Sequence, residues 1–249
     1  MTYELKPRME SEITHNAVIY TYPIGIQDMV VSERKIFREP GWEVSGGPER
    51  KPGYIREPGE KSTGADALRS VRRAKAQLRR LALANEFTHF VTLTLDKEKI
   101  DRFDVKEIAK KLNNWTKNMV KRKGFRYILV PELHLDGAIH FHGFVAGDSL
   151  RMERVPVDWD GRPVYNFADW PFGFSTAQEL YGDYLAAVTY CTKYISKQQD
   201  GRIMGRWYYS GGKLEEPTKQ YADLDMDSFD GWEVATPAGR IKIANGLNL

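Results

Sequence analysis

The stretch of sequence that decides the fold is YILVPELHLDGAIHFHGFV, which runs from Tyr127 to Val145. Its two halves are apolar runs of strand length, and Asp136-Gly137 between them is a turn signal, so the stretch predicts a β-hairpin. His140 and His142 flank one apolar residue, and they point to the same face because side chains alternate along a strand. Paired imidazoles on one face, with a carboxylate across the hairpin, predict a divalent-metal site.

The length of the hairpin loop determines which carboxylate joins the histidines. A two-residue turn at Asp136-Gly137 places Glu132 opposite Phe141, on the wrong face. The three-residue loop Leu135-Asp136-Gly137, with its glycine in the left-handed position of a bulged type I turn, places Glu132 opposite His140. The sequence allows both registers. The alternative for the histidine pair itself is two surface histidines on an ordinary strand.

A second pattern is the segment YLAAVTYCTKYISK, residues 184–197, in which apolar residues recur with helical spacing. Tyr190 and Tyr194 are four residues apart and therefore lie on one face of the predicted helix, and Lys193 and Lys197 each follow a tyrosine by three residues. The alternative is that both tyrosines pack in the core and both lysines form a solvated edge.

Together with the apolar-threonine run Phe90–Asp96, these patterns form an ordered trio of motifs. Over about residues 70–212 the chain resembles the HUH endonucleases, in particular the rolling-circle replication initiators of single-stranded DNA phages and plasmids. The run at 90–96 resembles their first motif, and His140-Phe141-His142 matches their His-hydrophobe-His motif. Residues 190–197 resemble the two-tyrosine form of the third motif, although single-tyrosine relatives also exist.

The resemblance implies a nickase that cuts single-stranded DNA at a replication origin. A phenol with a pKa of about 10 is a poor nucleophile at neutral pH, and a metal ion held by His140, His142 and Glu132 would polarise the scissile phosphate. Lys193 or Lys197 would stabilise developing negative charge or assist proton transfer. Attack by Tyr190 or Tyr194 would leave a 5′-phosphotyrosine and a free 3′-hydroxyl, which can later rejoin a strand without ATP.

The resemblance indicates Mg²⁺ or Mn²⁺ as the metal, and the mixed nitrogen and oxygen donors suit Mn²⁺ better. Two histidines and a glutamate also describe catalytic zinc sites. His134 lies on the same strand face, and we expect it to be a hairpin-edge residue. Gly59–Thr63 lacks the glycine that a phosphate-binding loop has directly before Lys-Ser/Thr. We therefore expect no ATPase here, and duplex unwinding and synthesis by a host helicase and polymerase.

Three other functions stay open at the level of sequence. The first is a relaxase or transposase of the same superfamily; relaxases usually carry the tyrosine before the histidine motif, whereas here it follows. The second is a non-catalytic single-stranded nucleic-acid-binding module that uses the sheet as a platform. The third is a zinc-dependent hydrolase, which would release free ends without a protein–DNA adduct.

For the fold, the pattern predicts an α+β class with an antiparallel four- to five-stranded sheet and flanking helices, like an RNA-recognition or ferredoxin-like core. We expect an irregular leader over residues 1–64, the nuclease domain over 65–212 and an acidic tail over 213–249. The predicted elements are helices 66–84, 104–121 and 182–198, and strands 89–95, 126–134, 138–145, 173–179 and 205–210, with further short strands within 13–23 and 240–244.

Aromatic residues are numerous in and beside a predicted insertion at about 151–171. We expect them to pack against the core, with base stacking as the alternative. They are Trp159, Tyr165, Phe167, Trp170 and Phe172.

Composition adds little about partners, because the net charge is only +3. Basic residues are concentrated in the predicted helix 66–84, which either follows a phosphate backbone or presents an ordinary solvated face. The single cysteine, Cys191, excludes an internal disulfide and is compatible with a reducing cytosol. The sequence shows neither a signal peptide nor an apolar stretch of membrane-spanning length, so we expect a soluble protein in a bacterial host cytoplasm.

Overall fold

The structure, a computed structural model, describes residues 14–38, 64–180, 182, 184–198, 201–236 and 239–248. The chain divides into two compact units, one of Ser62–Glu216 and one that combines Met1–Lys61 with Pro217–Leu249. Gly59–Thr63, the partial match to a phosphate-binding loop, lies outside the described residues.

Three α-helices and fourteen strands make up most of the described chain. In chain order the elements are β1 (Thr14–His15), β2 (Ala17–Thr21), β3 (Ile26–Ser32), β4 (Phe37–Arg38), α1 (Gly64–Leu83), β5 (His89–Thr94), α2 (Val105–Lys123), β6 (Arg126–Leu133), β7 (Ile139–Ala146), β8 (Met152–Trp159), β9 (Arg162–Phe167), β10 (Ser175–Glu179), α3 (Tyr184–Lys197), β11 (Tyr209–Gly211), β12 (Thr218–Ala222), a 3₁₀ turn (Met226–Ser228), β13 (Trp232–Thr236) and β14 (Gly239–Asn248). In the part of the chain that is described, no helix has the length and apolar character needed to cross a membrane.

The larger unit contains one sheet in the order β11-β6-β7-β5-β10-β9-β8, with every neighbouring pair antiparallel. The predicted α+β class and antiparallel sheet are confirmed, but the sheet has seven strands rather than four or five. The segment expected as an insertion at 151–171 supplies the hairpin β8–β9. Its tip, Asp160-Gly161, has φ values of 51° and 70°, as a type I′ turn requires. This Asp-Gly pair is a hairpin signal that the sequence prediction missed.

Different helices cover the two faces of this sheet. Helix α2 buries Leu112 and Trp115 in the same core cluster as Phe141 of β7. Helix α3 contacts β6 and β7 from the opposite face, because its Tyr194 stacks on His142, whose side chain points away from that of Phe141. Helix α1 packs beside α3. The face that carries the histidines is therefore also the face that carries the tyrosine helix.

Four of the five aromatic residues expected to pack against the core do so. Phe167 and Trp170 are buried, and Tyr165 and Phe172 pack against the same cluster. Trp159 differs, because 72% of it is exposed at the tip of the β8–β9 hairpin. The packing interpretation is therefore confirmed for the four residues and wrong for Trp159.

The smaller unit corrects the expectation of an irregular leader and an acidic tail. Residues 14–38 and 218–248 form a five-stranded antiparallel sheet in the order β12-β2-β3-β14-β13, and β1 pairs with β4. Ala17 and Val31 are completely buried in it. The strands are short, and their partners lie far away in sequence, so neither end of the chain shows a clear periodic pattern by itself. The strand predicted within 13–23 exists, but it belongs to this sheet and not to the main one.

Asp169, in the loop after β9, holds three parts of the larger unit together. Its carboxylate accepts hydrogen bonds from Lys123 Nζ at the end of α2, at 2.8 and 3.0 Å, and from the backbone and Nε of Arg151, each at 2.9 Å. Burial by itself raises the pKa of Asp169, but the bonds from Arg151 and Lys123 outweigh it and hold the pKa below its ordinary value. The carboxylate therefore favours the folded state when it is charged.

We expect Asp169→Asn to lower the free energy of unfolding at pH 7 by about 1–3 kcal/mol, because it removes charge-assisted hydrogen bonds. A carboxyl group with a depressed folded-state pKa stabilises the fold above its unfolded-state pKa. The advantage of the wild type should therefore shrink as the pH falls below about 4. Urea unfolding at both pH values tests this.

The matched control for Asp169→Asn is Glu98→Gln, which alters an exposed carboxylate 3.9 Å from Lys97 Nζ. An exposed pair of this kind contributes at most about 1 kcal/mol. Equal destabilisation by the two variants would contradict the role given to Asp169.

Candidate functional site

The β6–β7 hairpin has the three-residue loop of the two that the sequence allows. His134 N donates to Ala138 O at 2.8 Å, and Gly137 has a φ of 83°, the left-handed conformation that glycine adopts without strain. The register pairs Glu132 directly with His140. Glu132 therefore points to the same face of the sheet as both histidines.

Glu132, His140 and His142 form a close cluster on β6 and β7. Glu132 Oε2 lies 3.0 Å from His140 Nε2 and 2.8 Å from His142 Nε2, and the two Nε2 atoms are 2.8 Å apart. All three side chains are largely buried. Within the described residues, this is the set of three or more His, Cys, Asp or Glu groups that could hold a metal ion.

The charge states of the cluster suit metal binding. Burial, followed by the neighbouring His140, lowers the pKa of His142 to about 4, and burial also lowers the pKa of His140. Burial alone would raise the pKa of Glu132, but its hydrogen bond with Lys197 and the charges around it bring the pKa below the ordinary value. At neutral pH the cluster thus offers two neutral imidazoles and one carboxylate, the forms that bind metal ions.

Spacing gives a second test of fit. Two ligand atoms that each lie about 2.1 Å from one ion, at right angles, are about 3 Å apart. The three ligand atoms of the cluster are separated by 2.8–3.0 Å. Glu132, His140 and His142 therefore fit one face of an octahedral ion, as the sequence predicted for these residues.

Thr92 on β5 is a site residue that the sequence analysis did not single out. Its Oγ1 lies 3.0 Å from His142 Nδ1, and β5 pairs with β7 so that Thr92 faces His142. With Nδ1–H donating to the hydroxyl, His142 Nε2 keeps its lone pair for the cluster. The apolar-threonine alternation of β5 was visible in sequence, but its register with β7 was not. His140 Nδ1, by contrast, is buried without a hydrogen-bond partner among the described residues.

Both tyrosines of α3 lie beside this cluster, in different environments. The ring of Tyr194 stacks on His142 with 4.0 Å between centroids and 11° between planes, and its hydroxyl donates to the Tyr190 hydroxyl at 2.9 Å. Burial, followed by this hydrogen bond, raises the pKa of Tyr194 above its ordinary value. Tyr194 is only 5% exposed, whereas Tyr190 is 50% exposed. The prediction that the two share one helix face is confirmed, and only Tyr190 is open to solvent.

The two lysines of the motif also differ in position. Lys197 Nζ forms an ion pair with Glu132 Oε1 at 2.7 Å and lies 4.7 Å above the Tyr194 ring. Lys193 is exposed, and its Nζ lies 5.7 Å from the centroid of the Tyr190 ring. The structure thus joins Lys197 to the metal cluster and leaves Lys193 beside the exposed tyrosine.

His134, the third histidine of the hairpin, lies at the edge of the cluster. Its ring is 5.6 Å from that of His140, and its side chain is 63% exposed. It does not belong to the set of three potential ligands. The expectation that it is a hairpin-edge residue agrees with this placement.

The fold and the site together define an α+β protein with a candidate metal centre of two histidines and one carboxylate beside a pair of tyrosines. Residues 88–199 match the sequence model of a family of replication-associated proteins, the ORF2 family. This span is shorter than half of the chain, and it contains all of the site residues described above. The match supports a replication-initiator role. A search of curated proteins and a search of solved structures each found no match.

We expect Mn²⁺ to bind at the cluster and His142→Ala to abolish this binding in isothermal titration calorimetry. Thr92→Val should weaken the affinity about 10- to 100-fold, because it removes the group that orients His142. The control is His134→Ala, which removes a neighbouring imidazole outside the cluster and should leave the affinity unchanged. Loss of binding in His134→Ala alone would contradict this assignment of ligands.

Proposed function

We propose that this chain is a nickase that initiates rolling-circle replication, cutting single-stranded DNA at an origin through a tyrosine nucleophile and a divalent metal ion. The observation that carries the proposal is the position of the tyrosine pair. Tyr194 stacks directly on His142 of the candidate metal cluster, and Tyr190 presents a half-exposed hydroxyl one helical turn away. A nucleophile on a rigid helix beside a metal site satisfies the need for fixed positioning.

A bound Mg²⁺ or Mn²⁺ would polarise the scissile phosphate and so favour attack on it. In the proposed step, the phenol oxygen of a tyrosine forms a bond to phosphorus, and the bond from phosphorus to the 3′ oxygen breaks. The phenol proton leaves, and the 3′ oxygen takes up a proton to become a hydroxyl. The product is a 5′-phosphotyrosine, which conserves the phosphodiester bond for later strand joining.

Several contacts favour Tyr190 as the first nucleophile. Its hydroxyl is accessible to DNA, whereas Tyr194 is buried against His142. Tyr194 keeps its proton because its pKa is raised, and its hydroxyl donates to the Tyr190 oxygen. A donor at that oxygen stabilises the negative charge that develops when Tyr190 loses its proton.

Lys197 is proposed to act on Glu132 and on the charge at the phosphate. Its ammonium group binds one oxygen of Glu132 and leaves the other oxygen facing the two histidines. This contact orients the carboxylate, and the same cation lies close enough to the site to stabilise a developing negative charge. Lys193, beside the Tyr190 ring, is the proposed contact to an incoming phosphate.

The unit Ser62–Glu216 contains every residue of this proposal, in agreement with a nuclease domain at about residues 65–212. The proposed partners are single-stranded origin DNA, a host helicase and a host polymerase. The order of the motifs, with the tyrosines after the histidines, favours an initiator over a relaxase.

Incubation of the protein with Mn²⁺ and single-stranded DNA carrying the origin should give a protein–DNA adduct that survives denaturing electrophoresis. We expect Tyr190→Phe to reduce the adduct from the first cut below detection, because it removes the nucleophile. Tyr194→Phe should slow the first cut about 10- to 100-fold, because it removes one hydrogen bond to a developing charge.

The double variant with chelated metal serves as the background for this experiment. Cleavage without an adduct would support the zinc hydrolase instead. A normal first cut in Tyr190→Phe together with no cut in Tyr194→Phe would reverse the proposed order of the tyrosines.

A further inference from the structure

Part of the sheet face that carries the metal cluster extends beyond helix α3. Strand β5 pairs with β7 on one side and with β10 on the other. Side by side on this face lie His142, Thr92 and Thr176, each on its own strand. Thr176 is exposed and Thr92 is half-buried, so the surface continues from the cluster onto β10 as an open and mostly polar face.

Phe174 lies on this open face, next to the start of β10. Its carbonyl accepts a hydrogen bond from Thr94 N at 2.8 Å, and Thr94 pairs with His140. The alternation along β10 places Phe174 on the same face as Thr176, opposite the completely buried Ala177. Two strand spacings separate the backbone of Phe174 from that of His140, a distance of roughly 10 Å.

Phe174 is 78% exposed, although the backbone beneath it is held in place. Gly173 lies so close to β5 that a Cβ atom there would collide with the carbonyl oxygen of Thr94. The hydrogen bond from Asp96 N to Phe172 O, at 2.8 Å, holds the segment on its other side. An exposed aromatic ring on a fixed backbone loses little conformational freedom when a flat partner stacks on it.

We propose that Phe174 is a stacking platform for one unpaired base of the single-stranded DNA whose phosphate meets the metal cluster. The inference rests on the proposed function, since it takes single-stranded DNA as the substrate. An aromatic ring among hydroxyl groups suits a base, which stacks by its face and hydrogen-bonds by its edge. A protein partner would favour a larger continuous apolar patch, and the neighbours of Phe174 on this face are Thr94 and Thr176.

Trp159 provides the comparison within the same unit. It is 72% exposed, similar to Phe174, but it lies at the tip of the β8–β9 hairpin. The order of the sheet places two strands, β9 and β10, between β8 and the strand β5 that borders the cluster. Exposure alone therefore does not distinguish the two aromatics, whereas continuity with the cluster does.

The test measures binding separately from cleavage, in the full-length chain carrying Tyr190→Phe and Tyr194→Phe. Fluorescence anisotropy with labelled oligothymidylate, without metal, gives the affinity. In this background Phe174→Ala should weaken binding about 5- to 100-fold, the range for loss of one stacked base. Phe174→Trp should retain the affinity, and Trp159→Ala should leave it unchanged.

An abasic scan then identifies the stacked base. Removing the base at each position of the oligonucleotide in turn should weaken binding strongly at one position, and Phe174→Ala should be insensitive to that change. Equal affinity of Phe174→Ala and the parent protein would overturn the inference. So would equal affinity for all the abasic oligonucleotides, which would mean that only the backbone is bound, or an equal loss in Trp159→Ala.

The adduct experiment tests the proposed function independently of this one. Loss of affinity in Phe174→Ala with no adduct in the protein with intact tyrosines would refute the nickase and support a base-binding face. An adduct with no effect of Phe174→Ala on affinity would refute the platform and leave the nickase standing.

Discussion

The site depends on the register between β6 and β7, which pairs Glu132 with His140. Side chains alternate along a strand, so a slip of one residue would move Glu132 to the face covered by α2 and leave the two histidines without a carboxylate. The loop that fixes the register contains Gly137 in a left-handed conformation, and Asp136 Oδ1 accepts a hydrogen bond from Ala138 N at 3.0 Å. A few atoms in an exposed turn thus determine the composition of a buried cluster.

Helix α3 is placed on that cluster by two sets of contacts. Val188, Cys191 and Ile195 are completely buried on its inner side, and Tyr194 stacks on His142. The same stacking that positions the helix also removes Tyr194 from solvent and leaves Tyr190 exposed. Two tyrosines that are equivalent in the sequence motif therefore become different chemical groups, one a buried donor and the other an accessible oxygen.

The sequence predicted features that depend on local spacing. The hairpin, the three helices and the face shared by Tyr190 and Tyr194 follow from periods that a single segment displays. Features that depend on pairing between distant segments were missed, namely the contact of Thr92 with His142 and the sheet of the smaller unit. Phe174 follows Gly173 in a short segment without a clear period, so its exposure is evident only from the register of β10 with β5.

The order of the strands in the smaller unit has a consequence for biosynthesis. Strand β14 pairs with β3 across more than 200 residues, and β12 pairs with β2 over a similar separation. All elements of the larger unit lie between these partners in the chain. During translation the ribosome therefore completes the larger unit while β2 and β3 still lack their neighbours, and contacts of such long sequence separation form slowly. The metal centre can assemble on the ribosome, before the two ends of the protein have met.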